Sequence, residues 1–344
     1  MREMTGNVVV VGGGTAGMEA AGQLARAGLR VTIVEKEKRP GGHVKNWHHL
    51  FPDRRSGGEV IEYLNNQIDD EKITLFTENK IVGINRKGTG FLLKTSGGIE
   101  LKADAVLLAT GFDLFKSERK EEYGYGIYDN VITSADLELM FRTDEVKLVN
   151  GETPGKTGFI HCVGSRDEKV GNLYCSKLCC VTAVKQAIEL KEKLGNSKVF
   201  CFYMDMRMGG ALYEEMYREA QEKYGINFIR GKVSEVSVNI NGKLVIKAED
   251  TLAGRPLKME LDMLVLMAGM EMSKEGGRLA EMANISTGEN RFFTPSDYHF
   301  GSNKSGIKGL FYAGTCTAPM NITETISHAR SAVSDIIDYL DITK

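Results

Sequence analysis

Residues Asn7–Val11 form an apolar, β-branched run that breaks into Gly12-Gly13-Gly14, and this junction constrains the fold more than any other feature. A helical pattern follows through Met18, Ala21, Leu24 and Ala25 and stops at Gly28; Arg30–Val34 then reads as a second strand, closing at Glu35. Strand, glycine turn, helix and strand within about thirty residues is a βαβ unit, which predicts a parallel sheet. The glycines are spaced Gly12-x-Gly14-x-x-Gly17. That spacing is weak alone, but a strand before it, a helix after it and an acid at the end of the next strand describe a dinucleotide site. Gly12 permits the tight turn, Gly14 lets a pyrophosphate approach the backbone, and Gly17 lets helix and strand pack closely. The helix N-terminus then offers free N–H groups to the phosphates. Glu35 is placed to accept from ribose hydroxyls and to disfavour a 2′-phosphate.

The texture then changes. From about Ile73 to Leu101, short alternating strands are punctuated by Lys87-Gly88-Thr89-Gly90 and Ser96-Gly97-Gly98. This antiparallel meander runs into the strand Ala105–Ala109, which stops at Thr110-Gly111. The second half repeats the plan in weaker form. Strand Gly158–Val163, helix Cys180–Lys193 and strand Lys198–Tyr203 lead to a second meander from Asn227 to Met259, and strand Asp262–Ala268 stops at Gly269. Such a repeat predicts an α/β fold of two Rossmann-like dinucleotide-binding domains, each with an antiparallel β-meander. A late strand, Gly309–Ala313, and an amphipathic helix, Thr323–Leu340, complete the chain. The expected division is residues 1–114 with 286–344 for the first domain, 115–154 as a connecting segment, and 155–285 for the second domain. With 39 glycines and only 6 prolines in 344 residues, the composition suits tight turns and close backbone approach rather than rigid linkers.

In the second half, where a second glycine fingerprint is due, the chain reads His161-Cys162-Val163-Gly164-Ser165-Arg166-Asp167. Its single glycine argues against a pyrophosphate lying on that turn. Cysteines gather there instead: Cys162, Cys175, Cys179 and Cys180, four of the six in the chain. If the segment is helical, Cys175 and Cys179 share one face. Four converging thiols in a chain with no secreted-scaffold character suggest metal ligation rather than disulfides. The spacing C-x12-C-x3-C-C is not the paired C-x2-C of zinc ribbons. An iron–sulfur cluster, structural zinc and unmetallated thiols all stay open on the residues alone.

Gly41-Gly42 after Glu35, Ala109-Thr110-Gly111 and Tyr312-Ala313-Gly314-Thr315 together resemble the FAD domain of the pyridine nucleotide-disulfide oxidoreductases. The run from Cys162 to Glu168, then Tyr174-Cys175-Ser-Lys-Leu-Cys179-Cys180 with Lys185, more narrowly resembles the A subunit of heterodisulfide reductase; Tyr123-Gly-Tyr-Gly126, Val131-Ile-Thr133 and Phe228-Ile-Arg-Gly231 extend the likeness. The resemblance implies FAD held by Gly12, Gly14, Thr15, Ala16, Gly17, Glu35, Lys36, Gly42 and His43. It adds Ala109, Thr110, Gly111, Gly314, Thr315, Ile322 and Thr323, with the N-terminus of the last helix facing the flavin pyrimidine ring. It implies a [4Fe–4S] cluster on Cys162, Cys175, Cys179 and Cys180, and a catalytic lysine, Lys185, near the flavin N5. The other reading of Lys185 is an exposed helix lysine. Neither a C-x2-C-x2-C-x3-C run nor cysteines in His43–Asp53 are present, so the chain resembles the short, single-cluster form found in sulfur metabolism.

Function classes narrow accordingly. A net charge of −2 argues against nucleic acid as the main partner. No apolar stretch approaches a membrane span, and the Met1–Gly6 start has no apolar signal region, so a cytoplasmic location is expected. The leading reading is an FAD and [4Fe–4S] electron-transfer subunit of a heterodisulfide reductase-like complex, with iron–sulfur or cysteine-rich partner subunits and a homodimer. The alternatives are a stand-alone NAD(P)H-dependent FAD oxidoreductase and a zinc-stabilised FAD-binding scaffold. Cys201 reads as core, Cys316 as packing, and His43, His48, His49 and Trp47 as solvent-facing loop residues. His161 on an alternating strand points away from Cys162, and Met204, Met206 and Met208 alternate on a strand end.

Overall fold

The computed structural model of the chain describes residues 5–342. The first stretch runs β1 (Asn7–Val11), α1 (Thr15–Arg26), β2 (Arg30–Val34), α2 (Gly57–Ile68), β3 (Ile73–Phe76), β4 (Ile81–Lys87), β5 (Gly90–Thr95), β6 (Glu100–Ala103) and β7 (Ala105–Leu108). Next come β8 (Phe112–Leu114), β9 (Val131–Thr133), α3 (Ser134–Arg142), β10 (Lys156–Val163), α4 (Cys179–Leu194), β11 (Lys198–Tyr203), α5 (Tyr213–Glu222) and β12 (Asn227–Arg230). The chain ends with β13 (Val233–Val238), β14 (Leu244–Asp250), β15 (Arg255–Leu261), β16 (Met263–Ala268), β17 (Met270–Met272), α6 (Lys274–Ala283), β18 (Leu310–Tyr312) and α7 (Ile322–Ile342). Two compact units result: Met1–Lys45, Gly58–Asp113 and Glu271–Lys344 in the first, Asn46–Gly57 and Leu114–Met270 in the second.

The first unit centres on a five-stranded sheet in the order β18-β7-β1-β2-β3, with β1 pairing in parallel to β2 and β7. β1 shows why a near-continuous apolar run makes a central parallel strand. Val8 and Val10 pack with α1 and α7 through Ala20, Leu24, Ala329 and Ile336. Val9 and Val11 face the opposite way, toward Ile81, Phe91 and Leu93 of the meander and Leu279 of α6. Both faces are therefore covered.

The second unit repeats the plan, with a five-stranded sheet β12-β11-β10-β16-β9 and an antiparallel meander β13-β14-β15. Its core joins Ile160, Val163, Leu264 and Leu266 of the sheet to Val236, Leu244 and Ile246 of the meander. The two-Rossmann architecture expected from the sequence is present.

Details differ from the sequence reading. β3 and β12 belong to the parallel sheets, paired with β2 and β11, so each meander starts one strand later than its alternation suggested. Residues 271–285, assigned by sequence to the second domain, lie with the first unit, and residues 46–57 lie with the second. Residues 46–57 are a loop and 271–285 carry α6, whose Leu279 joins the first unit's core; the expected connecting segment 115–154 lies within the second unit, and apolar periodicity says little about which core such a segment joins.

Candidate functional site

In the first unit, the glycine fingerprint is sterically obligatory. Gly12 has φ of +108°, and a Cβ there would stand 2.4 Å from the Ala109 carbonyl oxygen. A Cβ on Gly17 would stand 1.9 Å from the Gly12 carbonyl oxygen. The same tightness draws distant segments together. Gly42 abuts the Gly14 Cα, Gly111 (φ +66°) lies next to the Thr315 hydroxyl, and Gly314 (φ +74°) is wedged against Ala16 and Thr325. The sequence-nominated glycines and their neighbours Thr15, Ala16, Ala109 and Thr110 thus converge on the start of α1.

That helix start is open. Gly14 is the N-cap of α1 and supplies no side-chain cap, and the first turn carries no acidic residue. Its leading N–H groups are free of side-chain acceptors, the condition for receiving a phosphate. The Thr110 hydroxyl oxygen is buried with no hydrogen-bond partner among the described residues, an orphan that a bound ligand would satisfy. Glu35 is buried. One of its carboxylate oxygens accepts from Gly13 N–H at 2.6 Å and the other from Glu37 N–H at 2.8 Å. Each oxygen keeps a second acceptor site.

His43 stacks on Phe112 with ring centroids 4.4 Å apart and donates from Nε2 to the Phe112 carbonyl at 2.9 Å. Burial lowers its pKa from the usual histidine value. Lys36 is exposed. At the start of α7, Asn321 and Glu324 form a reciprocal cap: Glu324 N–H donates to Asn321 Oδ1 at 2.8 Å, and Asn321 N–H donates to the Glu324 carboxylate at 3.0 Å. Ile322 and Thr323 precede the N–H that this cap takes up. Cys316 is fully buried and donates to the Leu108 and Ala313 carbonyls, a packing role. Sequence reasoning missed His328, whose Nδ1 accepts from Gly314 N–H at 3.0 Å. A histidine nearly two turns inside a helix carries no local signal of that contact.

In the second unit, β10 leads into the cysteine loop through an irregularity. The register with β16 shifts between Ile160 and Val163, and Cys162 takes a left-handed φ of +58°. This overturns the expected alternation, because His161 and Cys162 line the same small pocket with Ser165, Arg166, Met204 and Lys232. His161 is buried, neither ring nitrogen has a partner among the described residues, and burial pushes it down to about 4. Arg166 and Lys177 are also left-handed, with φ of +53° and +62°. Backbone strain of this kind gathers at functional sites. The Met204–Met208 segment is irregular rather than a strand end.

The four nominated cysteines form no disulfide. Cys162 and Cys179 hydrogen-bond through their thiols, which together with burial raises the Cys162 pKa. Cys180 is pushed up to about 11, first by burial, with the Cys162 and Cys175 charges adding to it. Cys179 and Cys180 open α4, whose N-cap, Leu178, supplies no side-chain cap; a helix N-terminus stabilises thiolates. Cys175 precedes the helix in an extended loop, so it does not share a helix face with Cys179 as expected. Its sulfur accepts from Lys177 N–H at 3.2 Å. Among the described residues, no three His, Cys, Asp or Glu side chains are grouped to hold a metal ion.

Lys185 is 2% exposed, not a surface lysine. Its Nζ pairs with Glu138, donates to the His49 carbonyl at 2.8 Å and lies 3.3 Å from Glu189. His49 Nδ1 contacts Glu189 at 2.9 Å, and His48 N–H donates to Glu138 at 2.9 Å. The His48 backbone and the half-buried His49 ring are therefore tied into this network. Burial raises the Glu189 pKa, the nearby Lys185 charge opposing it.

A profile described as pyridine nucleotide-disulphide oxidoreductase matches residues 6–137. The A subunit of the H(2)/formate:CoB-CoM heterodisulfide,ferredoxin reductase of Methanococcus maripaludis is 39% identical over 245 residues, covering 69% of this chain and 37% of the relative. The A subunit of the ferredoxin/F(420)H(2)-dependent CoB-CoM heterodisulfide reductase of Methanosarcina acetivorans is 30% identical over 421 residues, covering 97% of this chain and 53% of the relative. The chain spans about half or less of the curated relatives it matches. Among solved structures, Lactococcus lactis thioredoxin reductase superposes with a TM-score of 0.67 at 19% identity, covering 97% of this chain and 99% of that one. Thioredoxin reductase of T. acidophilum gives 0.66 at 18%, covering 99% of each chain. No described helix is long and apolar enough to cross a membrane. Residues 6–137 thus match the pyridine nucleotide-disulphide oxidoreductase family, and the chain is similar over most of its length to the A subunits of heterodisulfide reductases.

Proposed function

We propose that this chain is an electron-transfer subunit that binds FAD in its first unit and a [4Fe–4S] cluster on Cys162, Cys175, Cys179 and Cys180 in its second. It would work within a heterodisulfide reductase-like complex of sulfur metabolism. The observation that carries the reading is the replacement of a nucleotide-binding turn by interacting thiols at the start of α4. A cluster bonds each cysteine to a different iron, so its ligands stand farther apart than those of a single ion. When bound, the flavin exchanges two electrons and the cluster one at a time.

The chain's own residues bind and orient. The open start of α1, with Gly12, Gly14 and Gly17, receives the pyrophosphate; Glu35, fixed by Gly13 and Glu37, accepts from ribose. Thr110 offers its unpartnered hydroxyl. Cys179 and Cys180 open α4, where no side chain caps the helix N-terminus. Lys185, held between Glu138 and Glu189, acts through that buried network. Partner subunits with iron–sulfur or cysteine-rich domains, and a homodimer, complete the reading.

Anaerobic preparation followed by visible spectroscopy and iron and sulfide assays tests it. Flavin bands accompanied by iron and acid-labile sulfide are expected. Flavin bands without iron would refute the cluster assignment, and rapid bleaching by NADH would favour the stand-alone oxidoreductase.

A further inference from the structure

Arg166 is built into the cysteine loop by three constraints. Its backbone takes the left-handed conformation, and its N–H donates to the Tyr174 carbonyl at 2.9 Å, next to Cys175. Its Nη2 donates to Asp205 at 2.7 Å. The fork is thereby aimed, yet Nη1 is buried without an acceptor among the described residues. Withdrawing a guanidinium donor from water and leaving it unpaired costs about 1–3 kcal/mol. Such an orphan needs a reason.

The surroundings supply one. Arg166 lines the pocket that Cys162 lines, and its charge acts on both Cys162 and Cys175. Asp205, which neutralises half of the fork, also offers its backbone carbonyl to the Cys180 thiol at 3.6 Å. One short segment therefore orients the arginine and touches a third cysteine. A guanidinium with a buried, unpartnered donor on the pocket wall that Cys162 shares suits an anionic thiolate-bound centre.

We infer that Arg166 sets the reduction potential of the centre held by Cys162, Cys175, Cys179 and Cys180, giving its Nη1 hydrogen to a cluster or cysteinyl sulfur. The inference rests on the cluster reading above. Reduction adds one electron and one negative charge to the centre and breaks no bond. A fixed cation and a hydrogen bond both stabilise that added charge, so Arg166 raises the potential. It is a positioning residue for charge and stands outside the ligand set.

The test is a redox titration of the anaerobically prepared full chain, followed by electron paramagnetic resonance, for wild type, Arg166→Gln and Arg166→Lys. Arg166→Gln is expected to keep iron and sulfide while its reduced-to-oxidised ratio at a fixed potential falls about tenfold, equivalent to about 59 mV for one electron. Arg166→Lys keeps the charge and loses the fork, and falls between the two. An unmoved potential in cluster-loaded Arg166→Gln overturns the inference while leaving the cluster reading intact. If Arg166→Gln fails to assemble the cluster, a wild-type potential in Arg166→Lys overturns it instead. Wild-type protein without iron overturns the cluster reading, and this inference with it.

Discussion

The Nδ1 of His328 accepts a hydrogen bond from the backbone N–H of Gly314 at 3.0 Å, so the ring must be unprotonated at that nitrogen. Gly314 sits in a left-handed turn wedged against Ala16 of the fingerprint helix. One imidazole on α7 therefore braces the turn that closes on the start of α1.

That contact predicts acid sensitivity. Burial lowers the His328 pKa, with a hydrogen bond to the Ser302 carbonyl opposing it, and burial lowers His43 as well. A depressed folded value means that the unfolded chain binds the proton first. The stabilisation is present above the ordinary histidine pKa, about 6.5, and is lost as pH falls through the folded values. Urea midpoints should fall between neutral pH and about pH 5, and His328→Phe should flatten part of that slope. Equal slopes in wild type and variant would contradict the assignment.

Gly17→Ala introduces a methyl 1.9 Å from the Gly12 carbonyl oxygen, and neither backbone can yield without opening the β1–α1 junction. FAD affinity should drop by about tenfold or more, roughly 1.4 kcal/mol. Fluorescence titration of the flavin-free protein measures this. Gly88→Ala is the control, since a Cβ there meets nothing within 4 Å; its own positive φ costs some stability but leaves the fingerprint untouched.

Lys185→Met leaves Glu138 and Glu189 buried without their cation. Breaking one partner of a buried ion pair typically costs about 3–5 kcal/mol, and the loss should appear in denaturant unfolding of the chain. Lys185→Met combined with Glu138→Gln should recover part of it, because fewer uncompensated charges remain. A loss under about 1 kcal/mol would show that the pair is solvated in practice.

Much of this was legible in the residues. β1, α1 and β2 announce themselves because a strand buried on both faces is a pure apolar run and the turn needs glycine. The cysteine loop stood out because thiols replaced the second fingerprint. Tertiary contacts were not legible. Nothing local says that residues 46–57 join the second unit, that Lys185 is enclosed by Glu138 and Glu189, or that a bulge brings His161 and Cys162 to one pocket. A bulge adds one residue to a ladder and reverses the alternation on which sequence reading depends. Nothing local ties Arg166 to Asp205, which lies beyond the end of β11.

The proposed cluster requires that Cys162, Cys175, Cys179 and Cys180 of the second unit share one inorganic centre. Low-temperature electron paramagnetic resonance of the dithionite-reduced chain, with Cys162, Cys175, Cys179 and Cys180 each replaced by serine, tests it most directly. The wild type should give a single cluster signal that every one of the four replacements abolishes or reshapes, while the flavin stays bound. A wild-type spectrum without that signal, or one left unchanged by replacing Cys175 or Cys179, would contradict it.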